Sequence, residues 1–214
     1  HVLRCFENDN ITHVDGSIDP VRDKGIIDTE LQLKDLETIE NRLAKTQKQA
    51  VVGGDKQAKR AVEILLQYKA VLEQGLSART VELEKEDRKL VADLNLLTDK
   101  PVLYVCNVDE KSAATGNAYT EAVRTAIADE KAEMLIVAAA TEADIAELES
   151  YEERQMFLEE IGLKESGVAR LIKAAYKLLD LQTFFTTGAD ESRAWTFRRG
   201  MKAPQTAGII HTDF

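Results

Sequence analysis

The hydrophobic period of the sequence changes twice, and this change constrains the fold more than any other feature. Between about residues 29 and 97, apolar residues recur every three or four positions, the spacing of amphipathic helices. Short apolar runs alternate with helical stretches from residue 101 to 180, and short β-type runs follow from Leu181. We therefore expect a helical region, an α/β region and the start of a small β-rich module.

The helical region contains two apolar stripes separated by glycines. The first stripe follows Asp28 and Thr29, either of which could cap the helix, and Gly53-Gly54 interrupts it. The second stripe runs from Ala58 to Leu72. Two amphipathic helices joined by a short turn predict an antiparallel hairpin, with a third helix over about 84–97.

The α/β region alternates two strand-like runs with helical stretches, which predicts a parallel sheet with right-handed crossovers. The predicted strands cover Pro101–Cys106 and Met134–Ala139, and the opening run His1–Phe6 is also strand-like. The predicted helices cover Asn117–Lys131, Ala143–Glu160 and Val168–Leu179. The later β-type runs are Thr183–Thr186, Arg193–Phe197 and Ala207–Ile210. Both termini fall in apolar runs, so we expect the chain to be part of a longer protein.

Several functional classes are disfavoured. A net charge of −10 argues against a whole-surface grip on nucleic acid. No apolar run approaches the roughly 18 residues of a membrane span, so we expect no membrane association. The histidines show no metal-ligand spacing, and no GxxxxGK[ST] phosphate loop occurs in the 214 residues. Cys5 and Cys106 lie in apolar runs without CxxC spacing, which predicts buried free thiols.

A polar motif follows directly after the predicted strand that ends at Cys106. It reads Asn107-Val108-Asp109-Glu110, and in doubly wound folds ligands bind beyond the carboxyl ends of strands. An amide and a carboxylate at this spacing could recognise a purine. The second strand ends in small residues, Ala138 to Thr141, which could admit a flat base or simply form a turn.

A local basic and aromatic cluster stands out within the acidic chain. It consists of Arg193, Trp195, Arg198, Arg199 and Lys202, and it could contact RNA. The alternative interpretation is that these residues are ordinary solvent-exposed side chains on a strand surface.

Several sequence segments resemble the Obg-like ATPase family, whose bacterial members are the YchF proteins. Asn107 to Glu110 is similar to the NxxE variant of the NKxD base-recognition motif in that family. The resemblance is collinear and covers essentially the whole chain. The other matching segments are Arg4–Asp9, Val14–Pro20, Lys100–Val105, Leu181–Thr186, Arg193–Thr196 and Ile210–Phe214.

The resemblance implies an α/β fold: part of a Ras-like P-loop NTPase sheet with an inserted helical coiled-coil hairpin and a partial TGS domain. On this template, residues 1–19 and 99–181 belong to the nucleotide-binding domain. Residues 20–98 form the inserted coiled-coil region, and residues 182–214 form the first part of the TGS domain.

The resemblance also implies a function: a cytoplasmic, monomeric, ribosome-associated enzyme that hydrolyses ATP slowly with Mg²⁺ and prefers ATP to GTP. Its nucleotide-binding residues here would be Asn107, Val108, Glu110, Ala138, Ala139 and Ala140. The phosphate loop, the Mg²⁺ ligands and the switches would precede His1, so we expect residues 1–214 alone to be inactive. The alternatives are a nucleotide-independent ribosome- or RNA-binding scaffold and a GTP-preferring GTPase.

Overall fold

A computed structural model of the chain describes residues 1–52, 55–130 and 132–211. The chain divides into two compact units, one formed by His1–Ile18 with Val102–Phe214 and the other by Asp19–Pro101. The predicted Gly53-Gly54 turn lies outside the described residues. Within these ranges, no helix combines the length and the hydropathy that crossing a membrane requires.

The unit formed by residues 19–101 is helical. Helices α1 (Pro20–Val52) and α2 (Lys56–Glu73) pack along each other, followed by α3 (Lys85–Val91). Gln32, in the first half of α1, donates to the carbonyl of Gly75 beyond the end of α2, whereas Glu40 further along α1 pairs with Lys69. The two helices therefore run antiparallel, as predicted. Their core contains Ile39, Leu43, Ile64, Leu65, Tyr68 and Leu72.

Two helix boundaries in this unit differ from the prediction. Helix α1 begins at Pro20, well before Asp28 and Thr29, because the Asp19 carboxylate accepts hydrogen bonds from the N–H groups of residues 21 and 22 at 3.1 and 3.0 Å. Helix α3 ends at Val91 and continues as a 3₁₀ turn, Ala92–Leu94, instead of extending to Leu97. Asn95 ends this turn in the left-handed conformation, at φ +49°.

The other unit contains the predicted parallel sheet. Its strands are β1 (Val2–Arg4), β2 (Leu103–Asn107) and β3 (Glu133–Val137), in the order β1-β2-β3. Buried residues of this sheet include Leu3, Tyr104 and Cys106. Cys5 and Cys106 are both free and buried, which confirms the prediction for the thiols.

Four helices accompany these strands: α4 (Ala118–Ala126), α5 (Ala139–Glu147), α6 (Tyr151–Glu160) and α7 (Gly167–Leu178). The prediction of one helix over Ala143–Glu160 was wrong. Ser150 interrupts it with a capping box, in which its hydroxyl accepts from Glu153 N–H and Glu153 accepts from Ser150 N–H, each at 3.1 Å.

The last part of the chain contains an antiparallel hairpin, β4 (Leu181–Thr187) and β5 (Ser192–Arg198), followed by α8 (Ala203–Ile210). The prediction of a β-type run at Ala207–Ile210 is therefore wrong. A short apolar run does not distinguish a strand from a helix, whereas Pro204 in the first turn favours a helix. The side chain of Gln205 also accepts from the backbone N–H of Lys202 at 3.0 Å.

Candidate functional site

The carboxyl ends of β2 and β3 meet at one edge of the parallel sheet. Asn107 and Val137, the last residues of the two strands, are register partners. The N–H of Val108 donates to the carbonyl of Val137 at 2.9 Å, so pairing extends one residue beyond the strands. The two predicted base-recognition segments therefore lie side by side, because parallel strands place their carboxyl ends at the same edge.

The side chain of Asn107 joins the two segments directly. Its Oδ1 accepts a hydrogen bond from the backbone N–H of Ala139 at 3.0 Å. Ala139 is the first residue of α5, and this N–H has no partner within the helix. With Oδ1 engaged, the Asn107 amide has its Nδ2 donor group available for a ligand acceptor.

The segment Ala138 to Thr141 is a helix start rather than the predicted loop. Ala138 is buried and extended in front of α5, whereas Ala139 and Ala140 lie in its first turn and are exposed. β3 stops at Val137, so the predicted strand end at Ala139 was two residues too long. The small side chains nevertheless leave the surface beside Asn107 open, because a methyl group is the largest substituent at positions 138–140.

The residues after Asn107 have three different environments. Val108 is buried, and Asp109 and Glu110 are exposed. Asp109 accepts a hydrogen bond from Ser112 N–H at 2.9 Å and so caps the 3₁₀ turn that Glu110 begins. The Glu110 carboxylate has no hydrogen-bond or ion-pair partner in the described ranges of the chain. The geometry therefore makes Glu110, rather than Asp109, the acid available to a ligand.

Asn117 supports this edge of the sheet, and the sequence reasoning assigned it no role beyond starting a helix. Its Nδ2 donates to the carbonyl of Cys5 at 2.7 Å and its Oδ1 accepts from Thr120 N–H at 3.1 Å. Asn117 therefore caps α4 and ties that helix to the end of β1. Nearby, the hydroxyl of Tyr119 donates to Glu7 at 2.7 Å, and this hydrogen bond raises the pKa of Tyr119.

Glu142 anchors the other side of the site and was also missed. Its carboxylate oxygens accept from the N–H groups of Gly167 and Val168 at 2.6 and 3.1 Å, at the start of α7. A carboxylate at this position caps the helix and complements its dipole. Arg170, one turn later, donates to the carbonyl of Ile136 at 2.9 Å. Helices α5 and α7 are thus fixed against the β3 end.

The carboxylates beside the strand ends do not offer a magnesium site. Asp109 accepts a backbone N–H, and both oxygens of Glu142 are engaged by α7. Glu110 is then the single carboxylate of the three without a protein partner in the described residues, and Mg²⁺ bound through one carboxylate would need substrate phosphates and waters for the rest of its coordination shell. These residues fit recognition of a base better than coordination of a metal.

The predicted basic and aromatic cluster is divided by the hairpin. Arg193 and Trp195 share one face of β5, and the guanidinium lies 4.2 Å from the ring centroid. Arg198 lies on the opposite face, since strand side chains alternate. Arg199 pairs with Asp180 at 3.4 Å, and Lys202 precedes α8. The five residues therefore do not form one surface, although Arg193 and Trp195 form a stacked pair.

Comparisons with known proteins place these observations in a family context. The family model YchF-GTPase_C, described as a protein of unknown function (DUF933), matches residues 181–214. The chain is 51% identical over 216 residues to the Ribosome-binding ATPase YchF of Bacillus subtilis, with 100% of this chain and 58% of the relative covered. It is 48% identical over 214 residues to the protein of the same name from Escherichia coli O157:H7, with the same coverage.

Relatives with lower sequence identity carry similar names. The chain is 43% identical over 220 residues to Obg-like ATPase 1 of Rattus norvegicus, covering 100% of this chain and 55% of the relative. A solved structure, described as the Schizosaccharomyces pombe YchF GTPase, superimposes with a TM-score of 0.86 at 32% identity, covering 99% of this chain and 58% of that one. The chain therefore spans less than two thirds of the length of each of these relatives.

Proposed function

Because the chain belongs to the YchF/Obg-like ATPase family, we propose that it supplies the base-recognition part of a ribosome-associated NTPase that prefers ATP to GTP and hydrolyses it slowly. The names of its relatives, Ribosome-binding ATPase YchF and Obg-like ATPase 1, support this proposal. The observation that carries it is the hydrogen bond from Ala139 N–H to Asn107 Oδ1, which brings both predicted base-recognition segments together.

The proposed base contacts follow from the donors and acceptors at this edge. Asn107 Nδ2 donates to ring N7, which adenine and guanine share, while its Oδ1 holds the start of α5 in place. The backbone at Val108 and at Ala138–Ala140 flanks the base. These contacts position a purine but do not select between the two.

Selection between the purines falls to Glu110. In the guanine-specific motif, an Asp accepts hydrogen bonds from guanine N1–H and the exocyclic amine, whereas adenine has no N1–H. Glu110 has an additional methylene group, which displaces its carboxylate from that position. The two hydrogen bonds from guanine to the acid are then poorly formed, and the site no longer discriminates against ATP.

The phosphate chemistry belongs to residues outside this chain in our proposal. Bound Mg²⁺ would neutralise charge on the transferred phosphoryl group, and its ligands would lie N-terminal to His1. Residues 103–142 bind and orient the base. Ribosome association places the enzyme in the cytoplasm, with Arg193 and Trp195 as the part of the predicted cluster that could stack on an RNA base.

The test uses the complete product of the gene that encodes this sequence. We expect isothermal titration calorimetry to give a smaller Kd for ATP than for GTP, and a phosphate-release assay to show slow ATP turnover. Asn107→Ala should weaken binding of both nucleotides by about tenfold, since it removes one base contact and the bond to Ala139. Asn41→Ala, at an exposed position of α1, is the matched control.

Two results would contradict the proposal. A smaller Kd for GTP would favour a GTPase, and no nucleotide binding together with cosedimentation with ribosomes would favour a nucleotide-independent scaffold.

A further inference from the structure

The helical unit contains a cavity of about 340 Å³ that the nucleotide site does not use. It lies between α2, α3 and the segment that follows α3. Val91, Leu96 and Pro101 contribute apolar surface, and the polar lining side chains are Tyr68, Arg88, Asn95, Asp99 and Lys100. All of these residues belong to the unit formed by residues 19–101.

A buried tyrosine without a hydrogen-bond partner lines this cavity. Tyr68 is 1% exposed, yet its hydroxyl has no hydrogen-bond partner in residues 1–52, 55–130 and 132–211. This hydroxyl is not one of the fully buried unpaired atoms of the described residues, so it keeps contact with solvent through the cavity and is within reach of a ligand. Burial, followed by the charge of Asp99, raises the pKa of Tyr68. The hydroxyl therefore keeps its proton at neutral pH and can donate it to a ligand.

The charged side chains at the cavity carry a net positive charge. Arg88 and Asp99 form a long ion pair, with Nη1 to Oδ2 at 3.3 Å. Lys100 is exposed, and its ammonium group has no carboxylate partner among the described residues. Two cations and one carboxylate leave one positive charge uncompensated, which favours an anionic ligand.

We infer that this cavity binds a small organic anion through one carboxylate or phosphate group. Tyr68 and Lys100 contact the anionic oxygens, and the apolar part of the ligand packs against Val91 and Leu96. Ligand pockets range from about 300 to 1,000 Å³, so this one accepts a molecule of about ten non-hydrogen atoms. The inference does not depend on nucleotide binding, because no residue of the strand-end site lines the cavity.

The test titrates the 214-residue chain with 4-fluorobenzoate and 4-fluorophenyl phosphate and follows them by ¹⁹F NMR. Neutral 4-fluorobenzamide, which has nearly the same size as the benzoate, is the control ligand. We expect one of the anions to bind with a Kd of about 1 mM, and the amide at least tenfold more weakly. The anion with the smaller Kd shows whether the cavity prefers a carboxylate or a phosphate group.

Variants then assign the binding to the cavity. Tyr68→Phe removes only the hydroxyl and should weaken anion binding by about three- to tenfold, and Lys100→Gln by about fivefold. Lys89→Gln, which changes an exposed ammonium of α3 paired with Glu86, should leave the Kd unchanged. If Tyr68→Phe fails to give the native circular dichroism spectrum, the Lys100→Gln variant alone tests whether the anion binds in the cavity, because Lys100 is exposed.

Four results would overturn the inference. The first three would be that neither anion binds, that the amide binds as tightly as the anions, and that both cavity variants leave the Kd unchanged. Binding of a polyglutamate peptide without binding of either small anion would also overturn it, since the occupant would then be an acidic protein segment.

Discussion

The buried carboxylate of Asp35 holds Thr98 through two hydrogen bonds. Oδ2 accepts from both the backbone N–H and the hydroxyl of Thr98 at 2.7 Å, while Oδ1 accepts from Leu97 N–H at 2.7 Å. Asp35 is 2% exposed and lies 63 residues before Thr98 in the sequence. The segment that closes the helical unit is therefore fixed to the middle of α1 by hydrogen bonds to one charged group.

Replacing Thr98 with Val should destabilise the helical unit. The Thr98 hydroxyl also accepts from the buried N–H of Ala78 at 2.9 Å, so the isosteric change leaves one buried donor unpaired. We expect a loss of about 2–4 kcal/mol in the free energy of unfolding, measured by urea denaturation followed by circular dichroism. Thr29→Val, at an exposed position of α1, should change it by less than about 0.5 kcal/mol. Equal effects of the two variants would show that the Asp35–Thr98 contact adds no stability.

Replacing Glu110 with Asp should shift nucleotide preference toward guanine. The shorter side chain restores the acid that accepts from guanine N1–H and the exocyclic amine. Two base hydrogen bonds correspond to a shift of about 5- to 100-fold in the ratio of the ATP and GTP dissociation constants. Calorimetry on the complete gene product measures this ratio, and Glu147→Asp on α5 is the control. An unchanged ratio would indicate that backbone contacts, not Glu110, recognise the base.

The 214-residue chain by itself should not hydrolyse ATP. Phosphate groups and Mg²⁺ supply much of the affinity in nucleotide sites of this type, whereas each base hydrogen bond adds only about 1 kcal/mol. We therefore expect no ATP binding tighter than about 1 mM by calorimetry and no phosphate release. Turnover by a homogeneous preparation of this chain would mean that its active site lies somewhere other than the strand ends.

Replacing Gly116 with Ala should disturb the support of the strand-end site. Gly116 has φ +75°, and an added Cβ would lie 2.5 Å from the hydroxyl of Thr120 and 2.9 Å from Ile136 Cδ1. Gly16 has a similar φ of +71° but open space around it. We expect unfolding free energy to fall by about 3 kcal/mol for Gly116→Ala and about 1 kcal/mol for Gly16→Ala. Similar losses would mean that only backbone strain, and not the contact with Thr120, matters.

The pKa of Asp87 should be below its ordinary value. Arg60 donates to both carboxylate oxygens of Asp87 at 3.1 and 2.7 Å, and these hydrogen bonds lower the pKa. Because the pKa is lower in the folded state, the Arg60–Asp87 pair stabilises the fold fully above the unfolded-state pKa of about 3.9. This stabilisation is lost as pH falls through the folded-state pKa of Asp87. A ¹³C NMR titration of the carboxyl carbon measures the midpoint. Arg60→Gln should raise it, and a midpoint unaffected by that change would rule out Arg60 as the cause.

The sequence by itself determined the order and type of most elements. Apolar residues at helical spacing predicted the antiparallel pair α1 and α2, and the apolar runs around Tyr104 and Leu135 predicted neighbouring parallel strands. These predictions succeeded because they depend on burial of a periodic pattern, which is local in sequence. The segments that carry the family resemblance are also local in sequence, so the resemblance does not depend on the fold.

The tertiary structure alone decided the polar contacts between distant residues. No local pattern indicates that Asp35 would accept from Thr98, that Asn107 would accept from Ala139, or that Tyr68 would line a cavity without a partner. The start of α5 at Ala139 also depended on its surroundings, since three alanines are compatible with a loop or a helix. Such contacts form between residues tens of positions apart, and they are specified by how the packed elements place their side chains and backbone groups.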